Sequence, residues 1–264
     1  MLIFNKLMSC SERLTLLRWG KITFAVMLMM LSLLSHATQS PDKNEWEAED
    51  TLRIKIVTFG NSITATRKTV DQVFAQRIPE LLRENGIMAE VINSGIPGSH
   101  TGSVKDHDLF KIKHARDRFE TDVLAHYPDL VTIGFGTNDA HIDSKVEGGP
   151  SRIPLSKFEE NLAFMIDALR ARNIKIILIT PNILGGKYDE FQNDRLKKYV
   201  RVMRKLARKH KLGLVDNFKT FSAYRKQGQE KLEALLLDGV HPNDKGHEII
   251  VGELLIQILK IYKK

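Results

Sequence analysis

Four short segments of the 264-residue chain combine glycine with polar side chains that could carry out a reaction. Serine is a weak nucleophile, so it needs a base within hydrogen-bond reach, and that base needs a third group to orient it. Ser62 lies in the first segment, and Asp238 and His241 lie three residues apart in the last. We predict that Ser62 is the nucleophile, His241 its general base and Asp238 the orienting carboxylate. The four segments are Gly60-Asn61-Ser62-Ile63-Thr64, Asn93-Ser94-Gly95-Ile96-Pro97-Gly98, Gly134-Phe135-Gly136-Thr137-Asn138-Asp139 and Asp238-Gly239-Val240-His241-Pro242-Asn243.

The same segments contain hydrogen-bond donors for the negative oxygen of a tetrahedral intermediate, which acyl transfer requires. The predicted oxyanion hole consists of the backbone N–H groups of Ser62 and Gly98 and the side-chain amide of Asn138. Glycine at position 98 lets the backbone approach a substrate because it has no Cβ atom. The predicted chemistry is therefore acyl transfer through a serine.

Short apolar runs rich in β-branched residues alternate with longer helical patterns, and each of the first three polar segments follows such a run. This alternation predicts βαβ units and an α/β fold with a parallel sheet covered on both faces. Ligands of such sheets bind at the carboxyl ends of the strands. We also expect the helix after the first strand to direct its positive dipole end at Ser62. The predicted strands span residues 53–59, 88–92, 130–135, 175–180 and 213–215, and the predicted helices span residues 70–84, 119–126, 157–172, 191–210 and 245–262.

In order and spacing, the four segments resemble those of the SGNH hydrolases, a superfamily that includes the GDSL-type esterases and lipases. The resemblance covers residues 53–262, and the family's serine, glycine, asparagine and histidine fall on Ser62, Gly98, Asn138 and His241, with its aspartate on Asp238. It implies a three-layer, flavodoxin-like, doubly wound sheet of about five parallel strands and ester hydrolysis through an acyl-serine. It implies no metal and no organic cofactor.

Two features depart from the family pattern. The first block reads Gly-Asn-Ser instead of the usual Gly-Asp-Ser, so Asn61 removes a charge beside the nucleophile. Residues 102–116 also form a longer connection than usual, and we expect them to border the substrate cleft.

The N-terminal region has the layout of a secretory signal peptide: a basic segment, an apolar run over residues 22–34 and small residues before position 38. We predict a signal peptide over residues 1–37, a polar tether over residues 38–50 and a hydrolase domain over residues 51–264. The protein would then be secreted or periplasmic, with no membrane span in its mature form. An uncleaved N-terminal anchor is the alternative. The only cysteine, Cys10, lies in the leader, which argues against a lipid anchor after the apolar run.

The formal net charge is +8, and many of the basic residues lie between positions 195 and 211. Apolar residues recur there at helical spacing, and Tyr199 alone does not make the series of aromatic side chains that a nucleic-acid platform would require. This pattern favours a solvated helix face, so we expect no nucleic-acid partner. The oligomeric state cannot be read from the sequence.

Other chemistries have weaker support in the sequence. His107 with Asp106 and Asp108, or His141 with Asp143, could bind a metal, but no metal-ligand motif contains them. The α/β-hydrolase motif Gly-x-Ser-x-Gly is absent. A flavin-binding protein would share the fold, and fold alone argues no function. A catalytically inactive carbohydrate-binding module on the same scaffold is a further alternative, against which the intact candidate residues argue.

The substrate prediction rests on loop composition. The loops expected to surround Ser62, at residues 65–68, 99–108 and 140–152, are mostly polar. A long acyl chain needs an apolar trough, because each buried methylene contributes about 0.8 kcal/mol. We therefore predict a short-acyl esterase that acts on a small-molecule or glycan ester, and specifically one that removes acetyl groups from carbohydrate. A lysophospholipase-like or lipase-like acyl hydrolase is the alternative.

Overall fold

The computed structural model describes residues 52–263, which contain one five-stranded sheet. All pairings in the sheet are parallel, and the strand order is β2-β1-β3-β4-β5, which is the order of flavodoxin-like doubly wound sheets. The α/β prediction with about five parallel strands is confirmed. The strands are β1 (Leu52–Gly60), β2 (Ile87–Gly95), β3 (Leu130–Gly134), β4 (Lys175–Ile179) and β5 (Gly213–Val215). The predicted leader and tether lie outside the described residues.

Helices flank the sheet. The first helix packs against β2 and against the last helix, while the long helices on either side of β4 pack against each other. Within residues 52–263, no helix is long and apolar enough to cross a membrane. The helices are α1 (Phe74–Glu84), α2 (Ala115–Asp122), α3 (Thr137–Ala140), α4 (Leu155–Arg170), α5 (Glu190–His210), α6 (Asn217–Gln227), α7 (Gln229–Glu233) and α8 (Asp244–Tyr262), with a 3₁₀ turn at Leu124–His126.

The five predicted helices are present with shifted ends, and the sequence prediction missed α3, α6 and α7. The α1 helix begins at Phe74, four residues later than predicted. In place of one helix over residues 119–126, the chain forms α2, which ends at Asp122, and a separate 3₁₀ turn. The basic helix α5 buries its apolar residues, and most of its lysines and arginines are exposed, as its periodicity predicts.

The central strands end at the same level. Gly60, the last residue of β1, pairs with Gly95 of β2 and with Gly134 of β3. A Cβ atom on Gly60 would lie 2.1 Å from the Thr64 hydroxyl oxygen, and one on Gly95 would lie 2.2 Å from the backbone nitrogen of Ala65. The glycines therefore allow the chain after β1 to fold back tightly across the strand ends. The connections after β1, β2 and β3 consequently leave from one edge of the sheet.

Candidate active site

Ser62, His241 and Asp238 form a continuous hydrogen-bonded chain at this edge. The Ser62 Oγ atom lies 2.9 Å from Nε2 of His241, and Nδ1 of His241 lies 2.7 Å from Oδ2 of Asp238. Ser62 follows β1, whereas the other two residues lie between α7 and α8. The fold thus places a serine hydroxyl, an imidazole and a carboxylate in the relative positions that serine catalysis requires.

Asn61 organises the turn that carries Ser62. Its side-chain oxygen accepts a hydrogen bond from the backbone N–H of Ile63 at 3.0 Å, and its carbonyl oxygen accepts from Thr64 and Ala65 at 3.1 and 3.0 Å. An amide oxygen can do this as well as a carboxylate, which explains how asparagine fits at this position. The expected dipole contribution from the following helix was wrong, since α1 begins only at Phe74 and a tight turn follows Ser62 instead.

The turn that carries His241 is closed around Asp238. Oδ1 of Asp238 accepts hydrogen bonds from the backbone N–H groups of Val240 and His241 at 3.0 and 2.9 Å, while Oδ2 faces the imidazole. The N–H of Leu237 donates to the carbonyl oxygen of His241 at 2.8 Å, and Gly239 takes a positive φ of 80° that allows the sharp reversal. These contacts fix the orientation of the imidazole ring.

The electrostatics of the pair favour a carboxylate beside a neutral imidazole. Burial opposes ionisation of Asp238, but the hydrogen bonds from His241 and Val240 outweigh it and lower the pKa of Asp238 to about 2. Burial lowers the pKa of His241. Asp238 partly offsets this decrease, and the positive charge of Arg67 adds to it. Near neutral pH, Nε2 of His241 is therefore free to accept a proton.

Activity should accordingly fall on the acid side, with a midpoint below about pH 6.5, the ordinary pKa of histidine. Only the neutral imidazole can act as a base, so protonation removes activity as the pH drops through the pKa of His241, and the lowered pKa moves this loss to more acid pH. The measurement is kcat/KM from about pH 4 to about pH 8, with circular dichroism to separate inactivation from unfolding. A rate that stays constant over this range would contradict a histidine base.

The candidate oxyanion donors lie in the connections after β1, β2 and β3. Among the described residues, the backbone N–H groups of Ser62 and Gly98 donate to no protein acceptor. The Nδ2 atom of Asn138 donates to the carbonyl oxygen of Ser99 at 2.9 Å, which leaves its second hydrogen for a ligand. This bond also ties Asn138 to the residue that follows Gly98. Two of the three predicted donor positions, Gly98 and Asn138, are therefore linked to each other.

Arg118 on α2 fixes the strand ends that carry two of these donors, a role that was not predicted from the sequence. Its side chain is 1% exposed, and it donates to the carbonyl oxygens of Gly60 and Ser94, at 2.8 Å each. Its guanidinium carbon also lies 4.3 Å from the centre of the Phe59 ring. In sequence, Arg118 looks like half of an exposed i, i+4 ion pair with Asp122, so no local signal predicts that it is buried.

Asp139, also missed, links the connection after β2 to the connection after β3. Its carboxylate accepts hydrogen bonds from the backbone N–H groups of Thr101 and Gly136 at 2.8 and 3.0 Å. Complete burial raises the pKa of Asp139 to about 6, although these hydrogen bonds favour the carboxylate. Together with Asn138, it holds the two loops of the candidate oxyanion hole in register.

A pocket of about 190 Å³ opens beside Ser62 and His241. We predicted that three mostly polar loops surround Ser62. This prediction was wrong in part, because residues 65–68 and 99–108 contribute nothing to the lining of the pocket. Leu184 and Tyr188, from the connection after β4, line it together with Val240 on the side of the histidine. Phe110 and Arg152 line it as well. Phe110 belongs to the long connection over residues 102–116, which therefore borders the pocket as expected.

Four of the residues considered as metal ligands, Asp106, His107, His141 and Asp143, make contacts within the protein. Within the described part of the chain, no group of three or more histidine, cysteine or acidic residues could hold a metal ion. His107 Nε2 lies 3.0 Å from Oδ2 of Asp143, whose carboxylate also binds Arg152. The side chain of His107 is 23% exposed, so it is more enclosed than an ordinary surface histidine.

Comparison with known families finds one that matches most of the chain. The model of the GDSL-like Lipase/Acylhydrolase family matches residues 58–249, which include all five candidate site residues.

Individual proteins of known sequence or structure are similar over comparable lengths. The chain is 32% identical over 223 residues to the uncharacterized lipoprotein YqeF of Bacillus subtilis, covering 74% of this chain and 85% of that protein. It is 27% identical over 169 residues to an acetylxylan esterase of Geobacillus stearothermophilus, covering 64% of this chain and 71% of that enzyme. The crystal structure of a lipase/acylhydrolase from Enterococcus faecalis superposes with a TM-score of 0.63 at 28% identity, covering 79% of this chain and 96% of that one.

Proposed function

Because this chain belongs to the GDSL-like lipase/acylhydrolase family and is a carboxylic ester hydrolase, we propose that it removes short acyl groups, chiefly acetyl, from carbohydrate esters. In this proposal the reaction proceeds through an acyl-Ser62 intermediate, with His241 as the base and Asp238 as its orienting group. The observation that carries the proposal is the unbroken chain Ser62–His241–Asp238, with distances of 2.9 and 2.7 Å, at the mouth of a small pocket.

The mechanism follows from these contacts. Nε2 of His241 takes the proton of Ser62 Oγ as that oxygen bonds to the ester carbonyl carbon, and the carbonyl electron pair moves onto oxygen. The N–H groups of Ser62, Gly98 and Asn138 stabilise that oxyanion. When the bond to the alcohol breaks, the imidazolium gives its proton to the leaving oxygen. Water then attacks the acyl-serine with His241 again as base, which releases the acid and restores the serine.

The size of the pocket supports a short acyl group. Its volume of about 190 Å³ is below the roughly 300–1,000 Å³ that is usual for pockets that enclose drug-sized ligands. The pocket must hold the acyl group and the first atoms of the alcohol together, so little space is left for a long chain. The similarity to an acetylxylan esterase supports an acetylated sugar as the substrate class.

A lipase-like or lysophospholipase-like activity is the second candidate. The observation that favours it is the apolar part of the lining, formed by Leu184, Leu196 and Val240 with the ring of Tyr188. Such side chains could bind an aliphatic group, although the small volume limits its length. An inactive carbohydrate-binding module has less support, since such a module has no need of an aligned serine, histidine and aspartate.

The test compares two substrate series. We expect release of acetate from acetylated xylo-oligosaccharides, and we expect kcat/KM for p-nitrophenyl esters to fall by at least about tenfold from acetate to octanoate. The physical reason is that methylenes that stay outside the pocket gain no burial free energy, while methylenes that are forced into it must displace its walls. A kcat/KM that rises steadily with chain length would point to the lipase-like activity instead. No hydrolysis of any ester would favour the inactive module.

We further propose that the enzyme acts outside the cytoplasm after removal of residues 1–37. The signal-peptide layout of the sequence supports export, and so does the similarity to a bacterial lipoprotein. Mass spectrometry of the exported protein should give an N-terminus at Thr38. An intact N-terminus on membrane-bound material would favour the uncleaved anchor.

A further inference from the structure

We infer that Phe110, held in place by Arg152, forms the wall that limits the length of the acyl chain. This inference rests on the proposed function of Ser62 as the acylated nucleophile, and it assigns a specificity role to the long connection over residues 102–116.

The reaction geometry determines which side of the pocket receives the acyl group. The leaving alcohol oxygen must lie near Nε2 of His241, because the imidazolium returns a proton to it. The carbonyl oxygen must point toward the donors at Gly98 and Asn138. The acyl chain leaves the tetrahedral carbon in a third direction, away from both the leaving oxygen and the carbonyl oxygen, and we place it toward the part of the pocket that Phe110 lines.

Phe110 lies on that side. A Cβ atom placed on Gly98 would come within 2.9 Å of Cδ2 of the Phe110 ring, so the ring rests directly on the backbone of the candidate oxyanion residue. The same ring lines the pocket together with Ser62 and Asn138. Phe110 is 46% exposed, which leaves the ring at the edge of the pocket and not in the protein core.

Arg152 supports the ring from a second loop. Its guanidinium carbon lies 4.9 Å from the centre of the Phe110 ring, close enough for a cation–π contact. Nε and Nη2 of Arg152 bind Oδ1 of Asp143 at 3.0 and 2.6 Å, and the arginine side chain is only 7% exposed. His107 joins the other carboxylate oxygen of Asp143 at 3.0 Å. The ring is thus supported by a hydrogen-bonded network that connects both loops.

The opposite side of the pocket is suited to the alcohol. Tyr188 contacts the turn that carries His241, since a Cβ atom on Gly239 would lie 3.3 Å from its Cε2 atom. Val240 immediately precedes the histidine and also lines the pocket. These residues surround the position of the leaving oxygen, so the acyl group and the alcohol have separate walls.

The experiment measures kcat/KM for p-nitrophenyl acetate, butanoate and hexanoate with the wild type, Phe110→Ala and Phe110→Trp. In the alanine variant, the ratio of hexanoate to acetate should rise at least about tenfold, because each newly buried methylene raises kcat/KM about fourfold. In the tryptophan variant, the ratio should fall. Leu109→Ala is the matched control: Leu109 is the adjacent residue, 58% exposed and not part of the pocket lining, so its ratio should equal that of the wild type.

The outcomes separate this inference from the proposed function. If the wild type prefers acetate and both Phe110 variants keep its chain-length ratio, the wall assignment is wrong while the esterase proposal stands. If Phe110→Ala instead raises KM only for acetylated oligosaccharides, the ring contacts the alcohol and the inference is also wrong. A wild type that prefers hexanoate overturns the short-acyl proposal by itself.

Discussion

The Ser62→Ala variant is expected to lose about 10⁴- to 10⁶-fold in kcat/KM for p-nitrophenyl acetate. The substitution removes the only atom that can form the acyl intermediate, and the oxyanion donors alone leave a small residual rate. Because the Ser62 hydroxyl bonds only to His241 among the described residues, the fold should be unaffected. The measurement is steady-state kinetics with thermal unfolding of both proteins.

A control and a labelling experiment complete this test. Thr66→Ala removes an exposed hydroxyl from the same connection and should keep full activity. A serine-directed phosphonate should add its mass to the peptide that contains Ser62 in the wild type, and should add none in Ser62→Ala. Labelling of another serine, or full activity in Ser62→Ala, would refute the assignment of the nucleophile.

The second large effect is expected on replacing His241. A smaller loss of kcat is expected on replacing Asp238. His241→Ala should lower kcat by about 10⁶-fold, because it removes the group that moves the proton in both half-reactions. Asp238→Asn should lower it by about 10⁴-fold, because the imidazole keeps its place but is no longer held in the required tautomer. Asp238 accepts the ring N–H at 2.7 Å and two backbone N–H groups, so the asparagine side chain can still occupy the turn.

Asp244→Asn controls for the general effect of removing a carboxylate near this turn. Asp244 begins α8, pairs with Arg77 at 2.5 Å and accepts backbone hydrogen bonds from Asp71 and Gln72. Its replacement should lower the thermal midpoint while kcat stays close to that of the wild type. If Asp244→Asn and Asp238→Asn lost the same activity, the turn would be sensitive to charge in general and Asp238 would have no special role.

Much of the fold could be predicted because a parallel sheet leaves a local signal. The strands are buried on both faces, so they appear as continuous apolar runs such as Ile176–Ile179, and amphipathic helices follow them at regular intervals. The ends of elements were less predictable. The α1 helix begins at Phe74 and not at residue 70, and the backbone N–H groups of Asp71 and Gln72 donate instead to the distant Asp244, a contact that no local pattern reports. The α6 and α7 helices have weak periodicity and were missed.

The candidate site also contains residues that the sequence predicts and residues that it does not. That Ser62, Asp238 and His241 lie together was predictable, because the chemistry of serine catalysis restricts which residue types occur together. The pocket wall from Leu184 and Tyr188 was not predictable, since ordinary apolar and aromatic residues carry no chemical signature. Arg118 was missed for a related reason: it contacts Gly60, which is 58 residues away in the chain, and no local pattern reports such a contact.

The distance along the chain between nucleophile and base has a consequence for the timing of activity during synthesis. Ser62 and His241 touch in the folded protein, yet 179 positions separate them in the order of translation. At about 5–20 residues per second, a ribosome adds His241 roughly 10 to 40 s after Ser62. Throughout that interval the nascent chain holds a serine with no base beside it. In the proposed mechanism, esterase activity therefore begins only after the segment around His241 has been synthesised and has folded, because an unfinished chain lacks its base.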